Sequence, residues 1–107
     1  GEDHLILPML SIGAKGVVSV VANIMPKEMS ELIKSFLNRD FEKAYSLHTT
    51  LYEVSRNMFI EGNPVTVKTA MNILGQIDND SVRLPLVSSG KETKERLEKF
   101  FKERKII

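Results

Sequence analysis

Three adjacent residues near the start of the chain, Glu2, Asp3 and His4, are of types that bind metal ions or transfer protons. Because three consecutive side chains cannot all converge on one ion, the triplet is only a weak indication of a metal site. Capping of a following helix by Asp3 and exposure of the other two to solvent explain it better. We therefore expect no metal here.

The second kind of chemistry to consider is imine formation by a lysine, which requires a deprotonated amine near neutral pH. Such an amine needs desolvation or a neighbouring cation. Of the ten lysines, Lys68 is the one closely flanked by apolar residues. The alternative is a helical lysine whose stem packs while its ammonium reaches water, and we favour that interpretation. Lys15 precedes an apolar run and is interpreted as a turn residue.

Three further candidates lie on one long predicted helix. His48 falls on its apolar stripe, where a packing histidine is a better interpretation than a metal ligand. Tyr45 and Tyr52 are of a type that can donate protons, but their position on this helix favours packing roles. The chain has no cysteine, which excludes disulfides, thiolate metal sites and cysteine nucleophiles.

Composition narrows the class of protein. The formal charge is +1, so nothing favours binding to nucleic acid or an anionic membrane surface. The apolar runs are far shorter than the roughly 20 residues that span a bilayer, and no signal peptide is visible at the start. Hydrophobic residues make up 42% of the chain and charged residues 27%, as in an ordinary globular domain. The absence of cysteine is compatible with the cytoplasm.

The first third of the chain reads as a helix, a strand and a second helix. Apolar residues from Leu5 to Ile12 have helical spacing, and Asp3 is placed to cap them. The β-branched run Val17 to Val21 is apolar on both faces, as in a strand of a covered parallel sheet. Pro26 is suited to the first position of the next helix, which continues to Leu37.

Three more helices are predicted after residue 38. Asp40 is a plausible cap for the first, and Asn63-Pro64 opens the second, which Gly75 closes in a left-handed conformation. An irregular segment follows. The last helix is predicted to start with a capping box formed by Ser89 and Glu92.

A single parallel-type strand is incomplete, because its N–H and C=O groups need partners on both edges. A helix–strand–helix start suits the last unit of a (β/α)₈ barrel, which needs about 250 residues. We therefore expect an α/β parent, a TIM barrel, in which this mostly helical chain starts mid-domain. Residues 1–37 would form the last part of the barrel and 38–107 a C-terminal helical domain.

Three motifs, in order along the chain, resemble those of one enzyme family. Residues 13–23, Gly-Ala-Lys-Gly-Val-Val-Ser-Val-Val-Ala-Asn, resemble the last barrel strand of the dihydrodipicolinate synthases. Residues 63–68, Asn-Pro-Val-Thr-Val-Lys, resemble a helix start of that family, with Leu74-Gly75 at its end. Residues 83–86, Arg-Leu-Pro-Leu, resemble the segment before the last helix. Sister lyases that act on sugar acids share the fold but resemble this chain less well.

The resemblance implies a lyase that condenses pyruvate with aspartate semialdehyde through a lysine Schiff base, in lysine biosynthesis. The imine lysine and a proton-relaying tyrosine would lie upstream, so no catalytic residue is expected in this chain. Val18 would bind pyruvate, at a position where the family usually has isoleucine, while Gly1, Glu2 and Asp3 would lie on the active-site rim. Thr66 stands where the family more often has proline, a difference that affects helix entry.

The resemblance also implies partners. These are the remainder of the barrel and further copies of the chain, since the family forms tetramers; no cofactor is expected. A competing hypothesis is a non-catalytic helical module that assembles or stabilises a larger protein.

Overall fold

The computed structural model describes all residues from 1 to 107, and they form five α-helices and no β-strand. Two three-residue 3₁₀ helices, Asp3–Leu5 and Val21–Asn23, lie in the first quarter of the chain. The α-helices are α1 (Ile6–Ser11), α2 (Pro26–Leu37), α3 (Phe41–Met58), α4 (Val65–Ile73) and α5 (Lys91–Glu103). The three helices expected after Asp40 are confirmed. Residues 1–56 and 57–107 form two compact units.

The prediction of a strand from Val17 to Val21 is wrong for this chain. Residues 17–19 lie outside any helix or strand, and the chain then turns into the 3₁₀ helix Val21–Asn23. The physical reason is that a strand exists only as part of a hydrogen-bonded ladder, and the 107 residues supply no second strand. The β-branched residues indicate that both faces of the segment suit a covered sheet, but they do not show whether a neighbouring strand is present to pair with it.

Two helices of the first unit, α2 and α3, begin as the sequence predicts. Pro26 occupies the first turn of α2, as predicted, because its missing N–H is an unpaired group at that position anyway. Asp40 accepts a hydrogen bond at 3.2 Å from the N–H of Lys43 and so caps α3, also as predicted. The buried apolar side chains of this unit are Ile6, Leu10, Val21, Ile24, Met29, Leu32, Ala44, Leu51 and Val54.

In the second unit α4 contacts α5, and Gly75 ends the turn after α4 with the left-handed φ of +75° that its position predicts. The predicted capping box is wrong. Helix α5 begins at Lys91, its N-cap is Gly90, and no side chain caps it. Ser89 is instead buried beside Thr69, because a hydroxyl removed from water needs a partner wherever the fold supplies one.

Candidate functional site

Three of the residues predicted to bind substrate or to lie on the active-site rim line one cavity of the first unit. It has a volume of about 400 Å³ and is lined by Gly1, Glu2, Ile6, Met9, Ala14, Gly16, Val17 and Val18. That volume is in the range of small-molecule sites, and the lining is mostly apolar. Three of the four predicted site residues, Gly1, Glu2 and Val18, therefore share one surface.

Val18 stands at this surface with its side chain 85% exposed and its backbone held in place. The Gly1 amino group donates a hydrogen bond of 3.0 Å to the Val18 carbonyl oxygen. This contact joins the start of the chain to the segment 17 residues later. Val18 therefore contributes an isopropyl group to the cavity, and the hydrogen bond from Gly1 restrains its backbone carbonyl.

Asp3, the fourth predicted site residue, does not line the cavity. Its side chain is only 4% exposed, and both carboxylate oxygens accept hydrogen bonds from the Val18 segment. One oxygen, Oδ1, accepts the hydroxyl proton of Ser19. The other, Oδ2, accepts the backbone N–H groups of Val20 at 2.9 Å and Val21 at 3.2 Å.

The prediction that Asp3 caps the helix that follows it is therefore wrong. No side chain caps the 3₁₀ helix Asp3–Leu5 or α1. The carboxylate instead serves the 3₁₀ helix Val21–Asn23, whose first N–H groups have no partner within that helix. Ser19 completes this role, because its Oγ accepts the N–H of Ala22 at 3.0 Å.

The other acidic and basic residues at the start of the chain remain at the surface. The Glu2 oxygen Oε2 lies 3.9 Å from the His4 nitrogen Nδ1, and both side chains reach solvent. This is a weak ion pair, and it exists only when the imidazole is protonated. No group of three or more histidine, aspartate or glutamate side chains is close enough to hold a metal ion.

None of the ten lysines lines this cavity. Lys68 is half-buried in α4, where Val65, Val67 and Ala70 are buried around it in sequence. That arrangement agrees with a packed stem and a solvated ammonium. Lys15 is exposed in the irregular segment before Val17, just after the turn at Ile12 and Gly13 where the sequence placed it.

Two of the three candidates on α3, His48 and Tyr52, contact each other. Partial burial lowers the pKa of His48 below its usual range, which favours a neutral imidazole. Its ring lies 6.0 Å from that of Tyr52, which in turn meets His4 edge-on at 6.4 Å. Tyr45 is 66% exposed, so its predicted packing role is wrong for this chain. None of these residues lines the cavity.

Sequence reasoning missed the pairing of Asp3 with Ser19. A signal for it was present, because Ser19 is the single polar residue within the apolar run from Val17 to Ala22. A buried hydroxyl in such a run requires a hydrogen-bond partner, and the sequence does not say which.

Comparison with known proteins identifies the family. A sequence profile of the dihydrodipicolinate synthetase family matches residues 1–104. The 4-hydroxy-tetrahydrodipicolinate synthase of Geobacter metallireducens is 47% identical over 107 residues, which are 100% of this chain and 37% of that protein.

The helices were also considered as possible membrane spans by their length and hydropathy. None of them combines the length and the apolar composition that crossing a bilayer requires.

Solved structures agree in backbone as well as in sequence. Dihydrodipicolinate synthase from Aquifex aeolicus gives a TM-score of 0.92 at 42% identity, over 98% of this chain and 36% of that one. The chloride-inhibited enzyme from Acinetobacter baumannii, solved with pyruvate, also gives 0.92, at 34% identity over 100% of this chain and 36% of that one. The chain spans a little over a third of its relatives, and it belongs to the dihydrodipicolinate synthetase family.

Proposed function

We propose that these residues are part of a 4-hydroxy-tetrahydrodipicolinate synthase. This parent protein condenses pyruvate with aspartate semialdehyde through a lysine Schiff base, in lysine biosynthesis in the cytoplasm. In this proposal residues 1–37 complete a (β/α)₈ barrel, residues 38–107 form its helical appendage, and the parent assembles from several copies.

The observation that carries the proposal is the shared cavity of Gly1, Glu2 and Val18 in a chain that matches the family over residues 1–104. In an α/β barrel, substrates bind at the carboxyl ends of the strands. The Gly1 nitrogen bonded to the Val18 carbonyl is the kind of contact that joins neighbouring strands there. In a longer chain that nitrogen is a peptide N–H, which can make the same bond.

We assign this chain a binding role and no covalent step. Imine formation needs a lysine that faces the substrate, and none of the ten lysines lines the cavity. The imine lysine and the proton-relaying tyrosine then belong to the remainder of the parent. Val18 contributes an apolar wall and backbone groups to the pyruvate site, with Glu2 and Gly1 on its rim.

The test is to trap the imine in the parent protein. Borohydride reduction in the presence of pyruvate is expected to give one stable lysine adduct, which peptide mapping places outside residues 1–107. The matched control is Lys68→Met, which removes the most apolar-flanked lysine of this chain and should leave turnover largely unchanged. An adduct on Lys68, or the loss of activity in that variant, would overturn the assignment.

Two competing functions make different predictions in the same experiment. A sister aldolase would also trap pyruvate but would turn over a sugar-derived aldehyde faster than aspartate semialdehyde. A non-catalytic assembly module would give no pyruvate adduct anywhere in the parent.

A further inference from the structure

The strongest unassigned feature is the buried carboxylate of Asp3. A carboxylate removed from water is costly unless its oxygens are hydrogen-bonded, and here both of them are. The donors are the hydroxyl of Ser19 and two consecutive backbone N–H groups. The carboxylate thus accepts the N–H groups at the start of the 3₁₀ helix Val21–Asn23, although it lies 17 and 18 positions earlier in the chain.

The position of these donors connects Asp3 to the cavity. Val20 and Val21 come two and three residues after Val18, which lines the cavity. The Val18 carbonyl is held from the other side by the Gly1 nitrogen. Val18 therefore lies between two restraints, one on its own carbonyl and one on the peptide groups that follow it.

Asp3 reaches the cavity only through this segment. It is absent from the cavity lining, whereas its neighbours Gly1 and Glu2 are part of it. Both of its oxygens already accept hydrogen bonds from residues of this chain. The carboxylate therefore does not face the cavity as a free acceptor for a ligand. A direct contact with substrate would require these bonds to break.

We propose that Asp3, together with Ser19, is a positioning residue for the pyruvate site. It acts by fixing the backbone that follows Val18, and this role rests on the function proposed above. The Asp3 carboxylate and the Ser19 hydroxyl tie three successive N–H groups, those of Val20, Val21 and Ala22, into one fixed turn.

Three substitutions in the parent protein give a graded test. Asp3→Ala removes all three bonds to the carboxylate and should raise the KM for pyruvate about tenfold, with kcat within about threefold. Asp3→Asn should rescue most of this loss, because its amide oxygen can accept the two N–H groups while its NH₂ faces the Ser19 oxygen. Ser19→Ala keeps the bonds to the backbone of Val20 and Val21 and should fall between them.

The matched control is Asp40→Ala. Asp40 is also an aspartate that caps a helix of the same unit, and it does not line the cavity. Its removal should lower the melting temperature and leave the KM for pyruvate unchanged. If Asp3 has a purely structural role, Asp3→Ala should behave like Asp40→Ala, with a lower melting temperature, a smaller active fraction and an unaltered KM for pyruvate. That result would overturn the proposal.

Two other outcomes separate the remaining explanations. A selective rise in the KM for the aldehyde would show that Asp3 contacts the second substrate, and would also overturn the positioning role. If wild-type parent traps no pyruvate adduct, the proposed function itself is wrong. Should Asp3→Ala not fold, a KM for pyruvate that is raised in Ser19→Ala and nearly normal in Asp3→Asn supports the role, and wild-type values in both variants contradict it.

Discussion

At the scale of single residues, the binding role proposed for Val18 asks little of its side chain. It has no titratable group, and its isopropyl group is exposed at the edge of the cavity. What it contributes is a fixed shape, because its carbonyl is bonded to Gly1 and its following residues are bonded to Asp3. In the proposed site, the absence of charge at position 18 avoids repulsion of the carboxylate of pyruvate.

The first prediction introduces a charge at this position. In the parent protein Val18→Asp is expected to raise the KM for pyruvate by at least about tenfold, because two carboxylates a few ångströms apart in a partly apolar site repel each other. Thermal unfolding of the variant shows whether folding is retained, so that a raised KM can be assigned to binding. Steady-state kinetics with pyruvate as the varied substrate measures the effect.

The control for this prediction is Val18→Ile, which keeps the wall apolar and adds one methylene group. Its KM should stay within about threefold of wild type. If Val18→Asp binds pyruvate as well as Val18→Ile does, then Val18 does not face the substrate.

The family resemblance was sufficient to predict part of the candidate site. Val18, Gly1 and Glu2 were predicted from motif resemblance, and the structure places all three on one cavity. Asp3 was selected for the right region with the wrong local role. Its partners lie 16 to 18 residues away, and no local pattern identifies a hydrogen bond across that distance.

At the scale of secondary-structure elements, local signals succeeded where the element is stabilised by its own residues. Pro26, Asp40 and Gly75 begin or end helices as predicted, because capping and backbone preferences act within one turn. The strand prediction failed because a strand depends on its neighbours. The capping box failed because Ser89 is used in a tertiary contact.

That tertiary contact belongs to a polar network that holds the irregular segment after α4. The Asp80 carboxylate accepts hydrogen bonds from the Thr69 hydroxyl at 3.1 Å and from the Lys94 ammonium at 3.3 Å. The Thr69 hydroxyl also lies 2.8 Å from the oxygen of Ser89. Since Thr69 has one proton to donate, the Ser89 hydroxyl can supply the proton of the second bond.

The network has a consequence for the pH dependence of stability. Partial burial by itself would raise the pKa of Asp80, but the bonds from Lys94 and Thr69 outweigh it and hold the pKa below the ordinary value of 3.8. A carboxyl group with a lowered folded pKa stabilises the protein above its unfolded pKa. This contribution is lost as the pH falls through the folded pKa.

The second prediction follows from that sign. Asp80→Asn should lower the free energy of unfolding of the parent by about 1 kcal/mol at pH 7, because a charged acceptor is replaced by a neutral one. The difference from wild type should shrink as the pH falls below about 4, where the wild-type carboxyl group also becomes neutral. Chemical denaturation at several pH values measures both quantities.

The matched control for Asp80→Asn is Asp78→Asn, a change at an exposed aspartate two residues earlier. It should alter stability by less than about 0.5 kcal/mol at every pH. A pH-independent difference between Asp80→Asn and wild type would show that the charge of Asp80 does not contribute.

At the scale of the whole molecule, the first unit exposes several large apolar side chains. Two large apolar side chains of the first unit are almost fully exposed, Val18 at 85% and Ile12 at 78%, and Leu5 and Met9 are also exposed. Residues 17–19 have no ladder partner. Exposed apolar side chains beside an unpaired backbone segment favour association with another surface.

The division between barrel and appendage after residue 37 stays a prediction. The boundary between the two compact units falls between Arg56 and Asn57, within the helix α3. A helix that passes from one compact unit into the next cannot be divided by its own sequence pattern, since helical periodicity continues across the boundary.

The last prediction concerns the chain as an isolated polypeptide. Because the first unit exposes apolar side chains beside an unpaired backbone segment, the isolated chain should associate with itself or with another chain at micromolar concentration. Light scattering coupled to size exclusion should give a mass above that of one 12.1 kDa chain. Supplying the remainder of the parent in trans should replace self-association by a defined complex, since the barrel then offers both the missing strand edges and the missing apolar contacts. A monodisperse monomer without a partner would contradict this prediction, and would mean that the exposed side chains around Val18 are tolerated in water.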